Sequence, residues 1–226
     1  MALLMNYREF IHRVNELGYM PFAPILPGMP SLSGETPPEQ WHTGDPETDP
    51  WQWKDRAVEE KQLAFGCVLG GNKGFISGRL YPYFHAAFHP DEEMEERRDA
   101  GLVSQTVWQL WQIFQRGATP DTGEIRKMMG VTKKQGAAKI DNAIKELQRE
   151  FYITVVGNRR KLNKLGEPYG WAANTYDTVE NWAPEVWLAG NKLTQKEAIQ
   201  GIIHTGITAG PGINQRDLFR ALKLKA

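Results

Sequence analysis

One imidazole, four carboxylates and three indoles crowd into Trp41-His42-Thr43-Gly44-Asp45-Pro46-Glu47-Thr48-Asp49-Pro50-Trp51-Gln52-Trp53-Lys54-Asp55. Carboxylates this close in one loop could share a proton for acid–base work or hold a hard metal ion. Indoles could stack a base or wedge a duplex. The same residues also read as plain structure. Asp-Pro steps make turns and helix caps, and tryptophans fill cores. The Asp-Pro repetition favours caps, and the ligand periodicity and closing Glu of a calcium loop are missing. No catalytic residue is therefore assigned. Asp45, Glu47 and Asp49 are the fallback candidates.

Three other patterns read as structural. His85 and His89 lie four apart on an expected helix, as zinc ligands do. Ala86 stands where a metalloprotease would carry its Glu, so these read as ordinary capping or surface histidines. Gly70-Gly71-Asn72-Lys73-Gly74 looks like a phosphate loop but lies in a hairpin without a following helix, so it reads as a turn. Cys67, the single cysteine, excludes an internal disulfide and a cysteine-based zinc site. Its apolar strand gives it a buried structural role. No metal and no cofactor are expected.

Charge is placed unevenly. The chain of 226 residues balances 27 basic against 27 acidic residues. Zero net charge argues against a protein that coats nucleic acid with its whole surface. Yet from Arg126 to Lys164 eleven cations face three carboxylates, a local excess of +8. Lys133, Lys134, Lys139, Asn142, Arg149, Arg159, Arg160, Lys161 and Lys164 are the candidate nucleic-acid contacts. Such cations bind phosphates, and released counterions drive the affinity.

The elements that carry this charge follow from periodicity. Val103, Val107, Leu110, Trp111 and Phe114 give Leu102–Arg116 one apolar helical face. Pro120-Asp121-Thr122 starts a short helix that Gly130 stops. Ile140, Ile144, Leu147 and Phe151 mark a third helix from Gly136. Its opposite side, with Lys139, Asn142 and Arg149, is where a groove-facing surface would lie. Tyr152–Val156 and Tyr169–Tyr176 read as paired strands. Between them Gly157–Gly166 reads as a basic loop. Three helices and a hairpin are the order of a winged helix.

The flanks follow the same logic. Tyr7–Leu17 is an amphipathic helix ended by Gly18. Pro21, Pro24, Pro27 and Pro30 forbid a regular helix over Met20–Pro30. Ser31–Pro50 is a long turn-rich segment, expected to be functional or mobile. Trp51–Gln62 is a helix. Leu63–Leu69 and Gly74–Ser77 form a hairpin, Leu80–Phe88 a helix, and Pro90–Asp99 an acidic exposed connector. Val179–Leu188 is a short helix. Thr194–Thr205 opens with a capping box, and Asn214–Leu222 is the last helix. No apolar run reaches 18 residues, and Met1–Met5 lacks the marks of a signal peptide. A soluble cytoplasmic protein with no membrane role is expected.

Leu17-Gly18-Tyr19, the Trp-rich segment with Pro50-Trp51-Gln52-Trp53-Lys54, and Leu80-Tyr81-Pro82-Tyr83-Phe84 form one pattern. It continues in Ala143-Ile144-Lys145-Glu146-Leu147 and Tyr169-Gly170-Trp171-Ala172. The pattern resembles the AlkZ/YcaQ-like winged-helix family, above all its shorter bacterial AlkZ-related proteins, over roughly residues 7–187. The resemblance implies tandem winged helices and DNA repair. Larger members are glycosylases that release alkylated bases and unhook crosslinks. Their Gln-x-Gln or Gln-x-Asp signature follows the Leu-Gly-Tyr-like segment. Here Pro21 and Ala23 occupy those two positions, and neither can orient a water or stabilise a cationic sugar.

The expected fold is α+β, with two winged-helix-like units and a helical C-terminal tail. The segments are 1–100, 101–190 and 191–226. The expected function is a DNA-binding protein allied to DNA repair, without the family's glycosylase chemistry. The alternatives are a divergent glycosylase or hydrolase using the 42–55 carboxylates, and a protein-interaction scaffold.

Overall fold

The structure, a computed structural model, describes residues 3–131, 136–188 and 193–224. Asn6 begins helix α1 (Tyr7–Leu17), its side chain accepting the Glu9 N–H, and Gly18 ends it at φ 83°. Phe10 and Val14 bury the inner face completely. Gly18 turns the chain directly into β1 (Tyr19–Pro21), a strand absent from the sequence expectation. β1 is the edge of an antiparallel sheet, order β1-β3-β2, with β2 (Leu63–Leu69) and β3 (Asn72–Ser77). An edge strand tolerates Pro21, because only one side must supply ladder hydrogen bonds.

Ser31–Pro50 is not an open loop. Two single turns of 3-10 helix, Leu32–Gly34 and Pro38–Gln40, shape it. Leu32, Glu35 and Thr36 are buried, and Arg13 on α1 grips the Glu35 carboxylate at 3.0 and 3.1 Å. Helix α2 (Pro50–Glu59) follows, with Pro50 in its first turn and Trp53 wholly buried. Beyond β3 come α3 (Tyr81–Phe88) and α4 (Met94–Asp99). The acidic connector is more than solvated helix. Met94 is in the core, and Arg97 lies buried between Glu150 (2.8 Å) and the Tyr152 hydroxyl (3.0 Å).

Helices α5 (Gln105–Phe114), α6 (Thr122–Met128) and α7 (Ala137–Arg149) follow, then the antiparallel pair β4 (Ile153–Leu162) and β5 (Pro168–Thr178). Asp121 and Glu124 form a reciprocal capping box on α6. Phe151 lies beyond α7 rather than on it. Its φ of 57° reverses the chain so that Tyr152 and Ile153 enter the core. β4 is twice the expected length. Val156 is a bulge inside it and Gly157 pairs with Thr175, so Arg159, Arg160 and Lys161 are strand residues, not loop residues.

Val179–Leu188 splits at Ala183-Pro184 into α8 (Val179–Trp182) and α9 (Glu185–Leu188). α10 (Gln195–Thr208) opens with the Thr194–Glu197 capping box, and α11 (Gln215–Leu222) is capped by Asn214. The fold is α+β, with eleven helices and two antiparallel sheets among the described residues.

One apolar core runs through all of it. α10 packs on α3, and α9 seats Trp187 on Gly78 and beside Tyr81. Helix α7 is tied to the first sheet by buried Gln148. Its Oε1 accepts the Cys67 N–H (3.1 Å), while its Nε2 donates to the Ile144 carbonyl (3.2 Å). A buried amide with both ends satisfied fixes α7 against the bulge at Gly66 in β2.

Candidate nucleic-acid interface

The β4–β5 hairpin is anchored at one end and bare at the other. Ile153, Thr154 and Val155 pair with Thr178, Asp177 and Tyr176 inside the protein. From Arg159 onward both strands are largely exposed. Asn163 builds the tip: its Oδ1 accepts the N–H groups of Leu165 (2.8 Å) and Glu167 (2.9 Å). Leu162, Leu165, Tyr169 and Trp171 stay in solvent, with Trp171 74% exposed. Among the described residues Arg160, Lys161 and Lys164 make no ion pair. Arg159 does, at 2.9 Å to Glu124.

Helix α7 buries Ile140, Ala143, Ile144 and Leu147 and leaves Lys139 exposed. Asn142 is exposed too. It lines a cleft whose opposite wall is the β2–β3 turn at Lys73. Arg149 binds Glu150 at 3.0 Å, a carboxylate it shares with Arg97. Arg126 is held by both oxygens of Asp141 at 2.7 Å. Lys133 and Lys134 lie outside the described residues.

The three fallback carboxylates do not converge on one point. Asp45 accepts the Glu47 N–H (2.8 Å), which holds its exposed carboxyl below the usual range. Glu47 pairs with Arg56 at 2.5 Å. Asp49 is fully buried as the cap of α2, accepting from His42, Gly44 and Trp51. All three are turn, pair and cap residues. His85 and His89 stack at 4.6 Å, and His89 Nδ1 donates to the Glu150 carbonyl (2.9 Å). Among the described residues no three His, Cys, Asp or Glu groups are placed to hold a metal.

The loop's tryptophans instead join an aromatic cluster. Phe22 meets Trp41 (5.5 Å) and Trp51 (6.2 Å) edge-on. His42 lies 4.9 Å from Trp51, and Trp171 of β5 closes on His42 (5.5 Å) and Trp51 (6.2 Å). The Lys54 ammonium sits 4.6 Å over the Trp51 ring and 2.6 Å from Asp55. Burial pushes the Asp55 carboxyl up, against the pull of Lys54 and Asn158. Phe22 stands between Pro21 and Ala23, so the cluster includes the neighbour of both positions. Asp55 and Trp171 were named from sequence only within longer motifs, not as site residues. Their places were not readable there, because the contacts of Trp171 with His42 and Trp51, and of Asp55 with Asn158, join distant parts of the chain.

An α+β protein with a cation-bearing hairpin beside an aromatic cluster is a candidate nucleic-acid binder by its chemistry. A sequence model of AlkZ-related proteins matches residues 4–223, so the chain belongs to the AlkZ-related family. No curated protein and no solved structure matches it. Among the described residues no helix is long and apolar enough to cross a membrane.

Proposed function

We propose that this protein binds DNA in a repair context and does not excise bases by the glycosylase route of its larger relatives. The carrying observation is the β4–β5 hairpin, which presents unpaired Arg160, Lys161 and Lys164 beside Trp171. In this reading α5, α6, α7 and the hairpin act as a winged helix, and the hairpin is its wing. Family membership supports the repair context. Pro21 and Ala23 support the missing chemistry, since neither side chain can activate water. The chain's neutrality limits contact to this surface rather than the whole protein.

A salt titration of binding to two unrelated duplexes of equal length tests the reading. Each lost phosphate contact should flatten the log–log salt slope by about 0.9. Changing Arg160, Lys161 and Lys164 together to Ala should lower it by up to roughly 2.7, similarly on both duplexes. Arg159→Ala should change it less, because Glu124 already neutralises that guanidinium. No binding by the wild type at about 50 mM salt would move the function to a protein-interaction scaffold.

One observation favours a second reading, a divergent base-processing enzyme. Asp55 is a buried carboxylate with a raised pKa beside an aromatic cluster, the setting in which general acids occur. Single-turnover base release from an alkylated duplex, lost in Asp55→Asn, would establish it.

A further inference from the structure

The glycine turn and the third helix, unrelated in sequence, face each other across a cleft of about 550 Å³. That volume is in the range of small-ligand sites, roughly 300–1,000 Å³. Lys73 comes from the β2–β3 turn, Lys145 and Asn142 from α7, and Thr122 and Arg126 from α6. Its charged lining is three cations against Asp141 alone. Arg126 is bound to that carboxylate. Lys73 and Lys145 have no ion-pair partner among the described residues.

Lys73 and Lys145 line the same cleft from opposite elements. Both are near enough to the Cys67 thiol to oppose the upward push of its burial. Gly71 makes room for this: a Cβ there would stand 3.0 Å from Lys145 Cε and 3.8 Å from its Nζ. Cations that outnumber the carboxylates of one cleft disfavour each other, and a bound anion relieves that. Lysine serves phosphate as a compact point charge, and the Asn142 amide and Thr122 hydroxyl offer further donors for its oxygens.

We propose that this cleft binds a phosphate group, with Lys73 and Lys145 as its principal donors and Asn142 orienting it. The group belongs to a small phosphomonoester or to the backbone of a nucleic-acid strand. The proposal stands apart from the wing, which lies on β4 and β5.

Calorimetric titration distinguishes the sources. The probes are deoxyadenosine 5′-monophosphate and a single-stranded dodecamer without terminal phosphates. At least one should bind, and Lys73→Ala and Lys145→Ala should each weaken it about tenfold. Lys145→Arg should keep most of the affinity. Asn142→Asp should abolish it by placing a carboxylate in the cleft. The charge-matched control Lys196→Ala, on exposed α10, should bind as wild type, and melting curves confirm that each variant is folded. Loss confined to the monophosphate assigns a small ligand; loss confined to the dodecamer assigns a backbone phosphate. The proposal is overturned if wild type binds neither probe. It also falls if folded Lys73→Ala and Lys145→Ala variants bind as wild type, or if Lys196→Ala weakens binding as much as they do.

Discussion

The two hairpins begin from similar sequence signals and end in opposite states. β2–β3 turns through Gly70 and Gly71, both at positive φ, as a two-residue hairpin requires. Almost every residue of Leu63–Leu69 is buried, because α2, α7 and β4 cover it. β4–β5 is buried only where it leaves α7, and its outer half meets solvent. The distinction lies in the side chains. β2 is apolar throughout, so each face needs a cover. Outer β4 is rich in cations, which water satisfies. The first hairpin is scaffold, and the second is a surface held out by that scaffold.

The largest effect should come from filling the scaffold's turn. A Cβ at Gly70 would overlap the Leu222 carbonyl at the end of α11, at a φ of 60°. Gly70→Ala must therefore strain the turn and lift the C-terminal helix. A loss of about 4 kcal/mol is expected in urea unfolding. Gly166→Ala, at the tip of β4–β5 with φ 80° and no atom within 4 Å of the added Cβ, should cost only about 1 kcal/mol. Equal costs would erase the contrast between the hairpins.

Next comes the Lys54–Asp55 pair, 2.6 Å apart and both buried, which joins α2 to Asn158 at the root of the exposed half. Asp55→Ala leaves a buried ammonium without its partner. About 3 kcal/mol should be lost. The double change Lys54→Met with Asp55→Leu should recover most of it, because a packed apolar pair replaces the ion pair. Failure to recover would mean that Asp55 supports the hairpin by more than its charge.

A pH effect on α3 follows in size. Burial, helped by the neighbouring His89, lowers the His85 pKa to about 4. The unfolded chain titrates near its ordinary value of about 6.5. The unfolded state therefore takes up the proton first. His85 favours the fold fully above about pH 6.5, and that contribution drains away as pH falls toward about 4. Partial exposure of the ring discounts the loss to about 2 kcal/mol. The difference between wild type and His85→Gln in stability–pH curves measures it. A difference independent of pH would remove His85 from the titration.

Much of this architecture was legible where a helix had a full apolar period and a cap. α1, α5 and α7 showed their stripes, Asp121 announced a helix start and Thr194 a capping box. β1 was not legible, since three residues ending in proline carry no period. Gly157 read as the start of a loop because a strand glycine and a loop glycine look alike without the partner strand. That moved Arg159, Arg160 and Lys161 from loop to strand. At the site, the cap role of Asp49 was readable from Asp-Pro. The meetings of Trp51 with Trp171 and of Asp55 with Asn158 were not, because they depend on tertiary proximity alone. The ion pairs of Arg149 and Arg126 were invisible for the same reason.

The smallest effects should fall on the exposed hairpin itself. Leu165 is 82% exposed, so Leu165→Ser removes almost no buried area and should change stability by less than about 0.5 kcal/mol. Trp171 is also in solvent but touches His42 and Trp51 edge-on. Trp171→Ala should cost about 0.5 to 1 kcal/mol, the worth of such aromatic contacts beyond area. Both should leave the denaturant slope unchanged, because the surface exposed on unfolding is nearly the same. Urea unfolding of the two variants beside wild type reads both quantities. If the hairpin is a presented surface, Trp171→Ala should weaken DNA binding while stability barely moves. A cost above about 2 kcal/mol would instead make Trp171 a strut of the fold, as buried aromatics are, and the contrast between the two hairpins would fail at the residue that joins them.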